Sequence, residues 1–396
     1  MRNSILILLT CFTTLSAVAQ KGISFVQAPI ASVFKTAQAA RKPVFVEIYS
    51  PSCHVCQSFM PTLADSRVGK SYNSKFINTR LDVDQPATRA FLQSKKYYIP
   101  SLPLFLYFSP EGELIHFAMS QNSTDEVIRH GNNATTPAAR SANWKQRYAA
   151  GDKSPNFLID LGMYSRVTGD TVTNMAAMDD YAKQQPANTH SNNTNWLVLQ
   201  KIILDMDNPL ARSLVSNIGI FKQQYGQTAV NVAENILMSS LYSSRGLKFS
   251  PAQIKQVYEG LVRIGIDPNL AGSRTLLPEV NAYFKLKQGQ RAAERMDSHV
   301  ATHSLVPAEY LYVAKLFNRS SPDPSDVPYL TKWINKALSL KTTPGEQADL
   351  YYEQADAFRR AGRTADARKA ANRALELAQA GHIDTKRNVK QISELK

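Results

Sequence analysis

The apolar positions change their spacing part-way along the chain. Up to about residue 130 they fall in short runs bounded by turn residues, and beyond residue 140 they recur at helical intervals. Val44-Phe45-Val46-Glu47-Ile48-Tyr49 is short, β-branched and aromatic, which predicts a buried strand. Ser50-Pro51-Ser52 breaks it, and Cys53 through about Leu63 continues as helix. Phe76-Ile77 leads into a second strand at Leu81-Asp82-Val83, and Pro86 to Tyr97 predicts a helix carrying Ala87, Ala90, Phe91 and Leu92. Leu104-Phe105-Leu106-Tyr107-Phe108 is wholly apolar, as a central strand covered on both faces would be. Pro110-Glu111-Gly112 is a turn, Leu114 to Phe117 a last strand, and Ser123 caps a helix holding Val127 and Ile128. The predicted order is strand, helix, strand, helix, strand, strand, helix.

Gly131-Asn132-Asn133-Ala134-Thr135-Thr136-Pro137 is polar and turn-rich, which places a linker at 132–141 between a domain over 21–131 and an α-helical domain over 142–396. A second loose stretch, Gln184 to Asn195, is rich in Gln, Asn, Thr and Pro. Trp196, Leu197, Leu199, Ile202, Ile203 and Met206 form a helical stripe, and no strand-like alternation follows residue 140. Over 345–379, Tyr351, Ala355, Phe358, Gly362, Ala367, Ala374 and Leu375 stand at spacings that resemble a tetratricopeptide repeat, with Gly362 in the turn. Ala314, Phe317, Ala337 and Leu338 give a poorer copy upstream, which predicts a repeat-like helical domain rather than a regular array.

Arg2, the apolar Ile5-Leu6-Ile7-Leu8-Leu9 and the ending Ala17-Val18-Ala19 read as a secretory signal peptide over residues 1–19. Cys11 follows Leu8-Leu9-Thr10 without the small residue a lipobox places before its cysteine, so an exported, periplasmic or secreted protein without a lipid anchor is expected. Beyond residue 20 no stretch of eighteen apolar residues occurs, so no membrane span is expected in the mature chain. The 396 residues suit two domains, and 43% hydrophobic residues suffice for cores. The net charge of +14 is scattered, without a block of consecutive basic residues, which argues for solvated helix faces and against nucleic-acid binding.

The candidate chemistry lies in Cys53-His54-Val55-Cys56, the one thiol pair left after Cys11. A cysteine at the first turn of a helix meets unpaired backbone N–H groups and the positive end of the dipole, which favours Cys53 as nucleophile. Residues three apart share a helix face, so Cys56 is placed to resolve a mixed disulfide formed on Cys53. A zinc site of this spacing needs two further ligands; there is no second C-x-x-C, and the spacing of His116, His130 and His190 does not recommend them. Outside the cytosol a dithiol exchanges with other thiols and disulfides in a direction set by its partner.

Over about Phe25 to His130 the element order and particular residues resemble the thioredoxin family. Tyr97-Tyr98-Ile99-Pro100-Ser101-Leu102-Pro103-Leu104 matches the segment opposite the cysteine pair, so the resemblance implies a cis bond at Pro103 and a substrate groove shaped by Leu102 and Pro103. The family's buried acid falls on Glu47, its basic neighbour on Arg80, and the proline of its active-site helix on Pro61. The resemblance implies that Glu47 shuttles a proton to and from Cys56, an alternative being an ion pair with Arg80 that serves only the structure. Ser52 stands where thioredoxins have tryptophan, and His54-Val55 where they have Gly-Pro, which makes His54 and Val55 candidates for tuning the redox potential. The expected protein is an exported thiol–disulfide oxidoreductase with an α/β thioredoxin-like N-terminal domain and an all-α, repeat-like C-terminal domain. Cys53, Cys56 and Glu47 are its expected catalytic residues, and the Cys53–Cys56 disulfide is its redox group, with no other cofactor and no metal. The expected partners are protein thiols and disulfides, a redox partner, and a protein ligand of the helical domain. Two other readings stand beside this one: a non-catalytic adaptor whose thioredoxin-like domain is a docking module, and a metal carrier using both cysteines and a histidine.

Overall fold

The computed structural model describes residues 22–395, so the expected signal peptide and Cys11 lie outside the described residues. The chain forms two compact units, one ending at Gln184 and one beginning at Gln185.

In the first unit α1 (Ile30–Ala40) is followed by β1 (Val44–Tyr49), α2 (His54–Leu63), α3 (Ser66–Lys75), β2 (Ile77–Asp82), α4 (Pro86–Ser94), β3 (Leu104–Phe108), β4 (Leu114–Ala118) and α5 (Thr124–Thr135). The sheet order is β2-β1-β3-β4, with β1 parallel to β2 and antiparallel to β3, and β3 antiparallel to β4. Val44–Tyr49 and the wholly apolar Leu104–Phe108 are the two inner strands, and every residue of β3 is buried. The expected order is present with two additions, α1 and α3. Helix α3 buries only Val68, Gly69 and Tyr72, too few apolar positions to impose a helical period on its sequence.

Aromatic rings fill one side of the sheet. Phe45 meets Tyr72 and Phe105 edge to face, at centroid distances of 4.8 and 5.4 Å, geometries that the ring quadrupoles favour. The buried Tyr72 hydroxyl donates to Val127 O at 2.7 Å and shares a 2.7 Å hydrogen bond with the Tyr107 hydroxyl, so neither polar tip is stranded in the core.

The linker expected at 132–141 is not a linker. Helix α5 runs through Asn132 and Asn133 to Thr135, and Ala134 within it is fully buried. Gly131 is required by packing, since a Cβ there would stand 3.0 Å from the Tyr72 ring. Two short 3-10 turns follow, Pro137–Ala139 and Ser141–Asn143, then α6 (Trp144–Ala149), α7 (Pro155–Val167) and α8 (Thr171–Lys183). Trp144 packs its ring against Phe117 and Tyr164 at 5.9 Å from each, and Tyr164 of α7 reaches Phe117 at 5.5 Å. These contacts bind α6 and α7 to β4, and the boundary between units falls instead at the second loose stretch, after Gln184. The polar composition misleads because Asn132 and Thr135 lie on the exposed side of α5 while Gly131 and Ala134 pack inward.

Both outer strands carry backbone cover. Beside β4, Ser141 Oγ accepts from Phe117 N–H at 3.0 Å and Ser141 N–H donates to His116 Nδ1 at 3.1 Å. Beside β2, Val26 N–H donates to Asn78 O at 2.8 Å and Val26 O accepts from Thr79 Oγ1 at 3.0 Å.

The second unit is helical throughout its described residues: α9 (Asn193–Lys201), α10 (Pro209–Ser216), α11 (Ile218–Tyr225), α12 (Thr228–Tyr242), α13 (Pro251–Arg263), α14 (Pro268–Lys285), α15 (Gly289–Thr302), α16 (Pro307–Ser320), α17 (Val327–Leu338), α18 (Pro344–Arg360), α19 (Thr364–Ala380) and α20 (Lys386–Glu394). Helix α18 begins with a capping box between Thr343 and Glu346 and has proline at its first position, a start its sequence dictates. The chain turns after it through Gly362, whose φ of +71° favours glycine, and α19 returns with Ala367, Ala371 and Ala374 buried on its inner face. The core around Phe317 and Trp333 contains a buried ion pair, Arg360 Nη2 to Asp326 Oδ2 at 2.8 Å.

Candidate functional site

Helix α2 starts at His54, and Cys53 is its N-cap in extended conformation. Cys53 takes the position a capping serine takes elsewhere: its Sγ accepts a hydrogen bond from Cys56 N–H at 3.2 Å. The turn before it is pinned by Ser50 Oγ, which donates to Asp84 Oδ2 at 2.7 Å and lies 2.9 Å from Ser52 Oγ. Both cysteines are free thiols; Cys53 is half-buried and Cys56, one turn into the helix, is 2% exposed. Pro61 lies inside α2, where the family resemblance places it.

The Leu102–Pro103 peptide bond is cis. Leu102 O lies 3.9 Å from Cys53 Sγ, so the loop before β3 and the start of α2 face each other across the thiol. His54 is exposed and Val55 is 55% exposed, both beside the cysteines on the outer side of the helix start.

Glu47 sits in the middle of β1, paired in register with Arg80 of β2 and Phe105 of β3. Its side chain is fully buried. Arg80 Nη2 stands 3.2 Å from Glu47 Oε2 but out of hydrogen-bond alignment, so neither carboxyl oxygen has a hydrogen-bond partner. The guanidinium is drawn elsewhere as well: it lies 3.9 Å over the Tyr49 ring, and both terminal nitrogens are 3.6 Å from Met60 Sδ. Burial pushes the Glu47 carboxyl up to about 7, with Arg80 pulling the other way. Burial also pushes the Cys56 thiol up to about 12; its hydrogen bond with Cys53 and the charges of Cys53 and Glu47 add to the rise, and a backbone hydrogen bond from Ser50 opposes it.

The structure therefore brings Cys53, Cys56, Leu102, Pro103, Glu47 and Arg80 into one site, with His54 and Val55 at its rim. Two of the three histidines considered as metal ligands lie together elsewhere in the first unit. His116 and His130 have ring centroids 5.8 Å apart and line a cavity of about 350 Å3 with Arg129, Trp144 and Asp160. Burial pushes His116 down to about 3 and His130 down to about 4, and neighbouring positive charge adds to both shifts. Among the described residues no group of three or more His, Cys, Asp or Glu could hold a metal ion. Ser50, Asp84 and Met60 were not singled out by sequence reasoning. Asp84 stands four residues after Arg80, which the family resemblance marks, and that nearness could have pointed to it, whereas nothing in the sequence marks the contact of Met60 with Arg80.

Residues 27–110 match a family model described as Thioredoxin-like. No curated protein matches the chain. Among solved structures, the disulphide isomerase from Xylella fastidiosa Temecula1 is similar at 14% identity, over 26% of this chain and 77% of that chain, with a TM-score of 0.20. The first unit thus contains a thioredoxin-like α/β domain with a four-stranded sheet, and a long all-helical region follows it.

Proposed function

We propose that this protein is an exported thiol–disulfide oxidoreductase that exchanges disulfides with protein substrates through Cys53 and Cys56. The observation that carries the reading is the pairing of a half-buried Cys53 Sγ against Leu102 O with a buried Cys56 behind it. In the reducing direction the Cys53 thiolate attacks a substrate disulfide, forming a mixed disulfide and releasing one substrate thiolate, which takes up a proton. Cys56 then loses its proton and attacks Cys53 Sγ, forming the Cys53–Cys56 disulfide and releasing the second substrate thiol. Two electrons and two protons pass to the substrate, and oxidation of a substrate is the same sequence reversed.

Glu47 accepts the Cys56 proton in this scheme. With Cys56 at about 12 and Glu47 at about 7, direct transfer in the reduced protein is uphill by ~7 kcal/mol. Part of that gap comes from the hydrogen bond and charge of Cys53. Burial, the largest cause of the rise, persists in the mixed disulfide, while the smaller Cys53 contributions are lost there, which makes Cys56 easier to deprotonate at the resolving step. Leu102 offers its backbone to an extended substrate as an added strand would, and His54 and Val55 adjust the potential of the couple. The Cys53–Cys56 disulfide is itself the redox group. The helical unit, with its tetratricopeptide-like hairpin of α18 and α19, serves to hold a protein partner. Among the described residues no helix is long and apolar enough to cross a membrane, and export follows from the signal peptide read in residues 1–19.

The test is a trap. Cys56→Ala removes the resolving thiol and leaves the nucleophile, so it should accumulate reducible adducts with partners from its own compartment. If it traps no more than Cys53→Ala/Cys56→Ala, the exchange reading is wrong and the adaptor reading takes its place.

A further inference from the structure

Helix α7 lies beyond the residues that resemble a thioredoxin, yet it holds the loop that ends in Leu102. A helix leaves its last carbonyls without partners inside the helix, and here Tyr98 N–H donates to Val167 O, in the last turn of α7, at 2.9 Å. The Arg166 guanidinium lies 4.6 Å over the Tyr98 ring, and its Nη2 donates to the Tyr98 hydroxyl at 3.3 Å. Gly169, with a φ of +72°, carries the chain away beneath the same loop, where a Cβ would stand 3.3 Å from Lys96 O. The other end of the clamp is rigid, since Tyr164 packs on Phe117 of β4 and the Val167 side chain is fully buried.

A tyrosine ring fixed in this way is nonetheless 48% exposed. It stands four residues before Leu102, whose carbonyl faces Cys53 Sγ, and Val55 beside the cysteines is exposed as well. An extended segment advances about 3.3 Å per residue. Four residues of chain span at most about 14 Å, so Tyr98 lies within reach of a side chain three or four residues from a substrate cysteine held at Cys53. We propose that Tyr98, clamped by Arg166, is the docking wall for an apolar side chain at that distance from the exchanging cysteine of an extended protein substrate, so that α7 helps to set substrate choice. Tyr98 touches the substrate; Arg166 is a positioning residue that acts through it. The proposal rests on the exchange reading above.

The experiment uses the full-length reduced protein and three disulfides: glutathione disulfide, and two nine-residue peptides whose central cysteine carries a glutathione mixed disulfide, one with phenylalanine three residues to either side and one with serine there. The wild type is expected to favour the phenylalanine peptide by about tenfold in kcat/KM, through KM, a size ordinary for one apolar contact. Tyr98→Ala and Arg166→Gln should bring the preference to about twofold or below, and Tyr98→Phe should keep it, with circular dichroism matching the wild type throughout. A wild type that reduces all three disulfides without preference, or a preference that survives Tyr98→Ala, overturns this proposal and leaves the exchange reading standing. A wild type that reduces none of them overturns both.

Discussion

Replacing Glu47 by glutamine should make the first unit more stable in mild alkali and no different in mild acid. The carboxyl is fully buried, its oxygens have no hydrogen-bond partner, and burial holds it at about 7 against the ordinary 4.5. In the folded protein it therefore keeps a proton that the unfolded chain has released. The sign follows: the contribution to stability is fully present below about 4.5 and is lost as the pH rises through about 7. At about 1.4 kcal/mol per pH unit of separation, the loss approaches ~3 kcal/mol by pH 8. The substituted glutamine has the same shape and never ionises, so Glu47→Gln should gain on the wild type by up to that amount between pH 5 and pH 8. Pulse proteolysis in urea at both pH values reads the first unit through its own fragments. His116 and His130 titrate with the opposite sign at lower pH, but they are common to both proteins and cancel in the difference. A difference that changes by less than ~1 kcal/mol across this range would mean that Glu47 is charged and paired with Arg80 at neutral pH. The carboxyl would then lack the near-neutral pKa that suits it to pass a proton in both directions. The same variant should slow the resolution of mixed disulfides without slowing their formation.

Alkylation of the reduced protein at neutral pH should label Cys53 before Cys56, because Cys56 is 2% exposed and pushed up to about 12; preferential labelling of Cys56 by mass spectrometry would reverse the assigned roles. His116 is held down at about 3 by burial, so it stabilises the fold above pH 6.5 and that stability is lost as the pH falls toward 3, by ~4 kcal/mol at most. His116→Asn, which can still accept from Ser141 N–H, should flatten the acid limb of urea midpoints against pH, and an unchanged limb would place the acid sensitivity elsewhere. A fragment of residues 22–184 should fold and exchange with glutathione disulfide, whereas one ending at 140 should be markedly less stable because it loses Ser141, Trp144 and Tyr164 from β4; equal urea midpoints would restore the boundary to the polar stretch.

The site is more legible in the sequence than the fold around it. Cys53 and Cys56 are read from their spacing at a predicted helix start, which survives in sequence, whereas Glu47, Leu102 and Pro103 are reached through the thioredoxin resemblance. The grip of α7 on Tyr98 joins residues 68 positions apart through a backbone carbonyl and a stacked guanidinium, neither of which leaves a periodic trace. Helix α3 escapes a sequence reading because three inward positions in ten residues give no apolar stripe. Gly131 misleads because glycine is most often read as a turn, whereas here it is small to make room for Tyr72. The polar stretch after Gln184 looks no more like a boundary than the one at 132–141, and only the packing of Trp144 and Tyr164 separates the two cases.

The hydrogen bonds made at the two outer strands bear on how a protein with the proposed exchange function would meet its substrates. An exposed strand edge is a template for other chains, and a protein that handles unfolded or partly oxidised substrates meets many extended segments able to pair with it. Here Ser141 takes the Phe117 N–H on β4 and Val26 takes the Asn78 carbonyl on β2, and each adds a bond to a neighbouring side chain of the same strand. Under the proposed function, extended substrate segments would find fewer free groups at the sheet margins, where pairing would be futile and could propagate into aggregates. The backbone at Leu102 would then be the more open partner for them, and there an encounter also presents the Cys53 thiol.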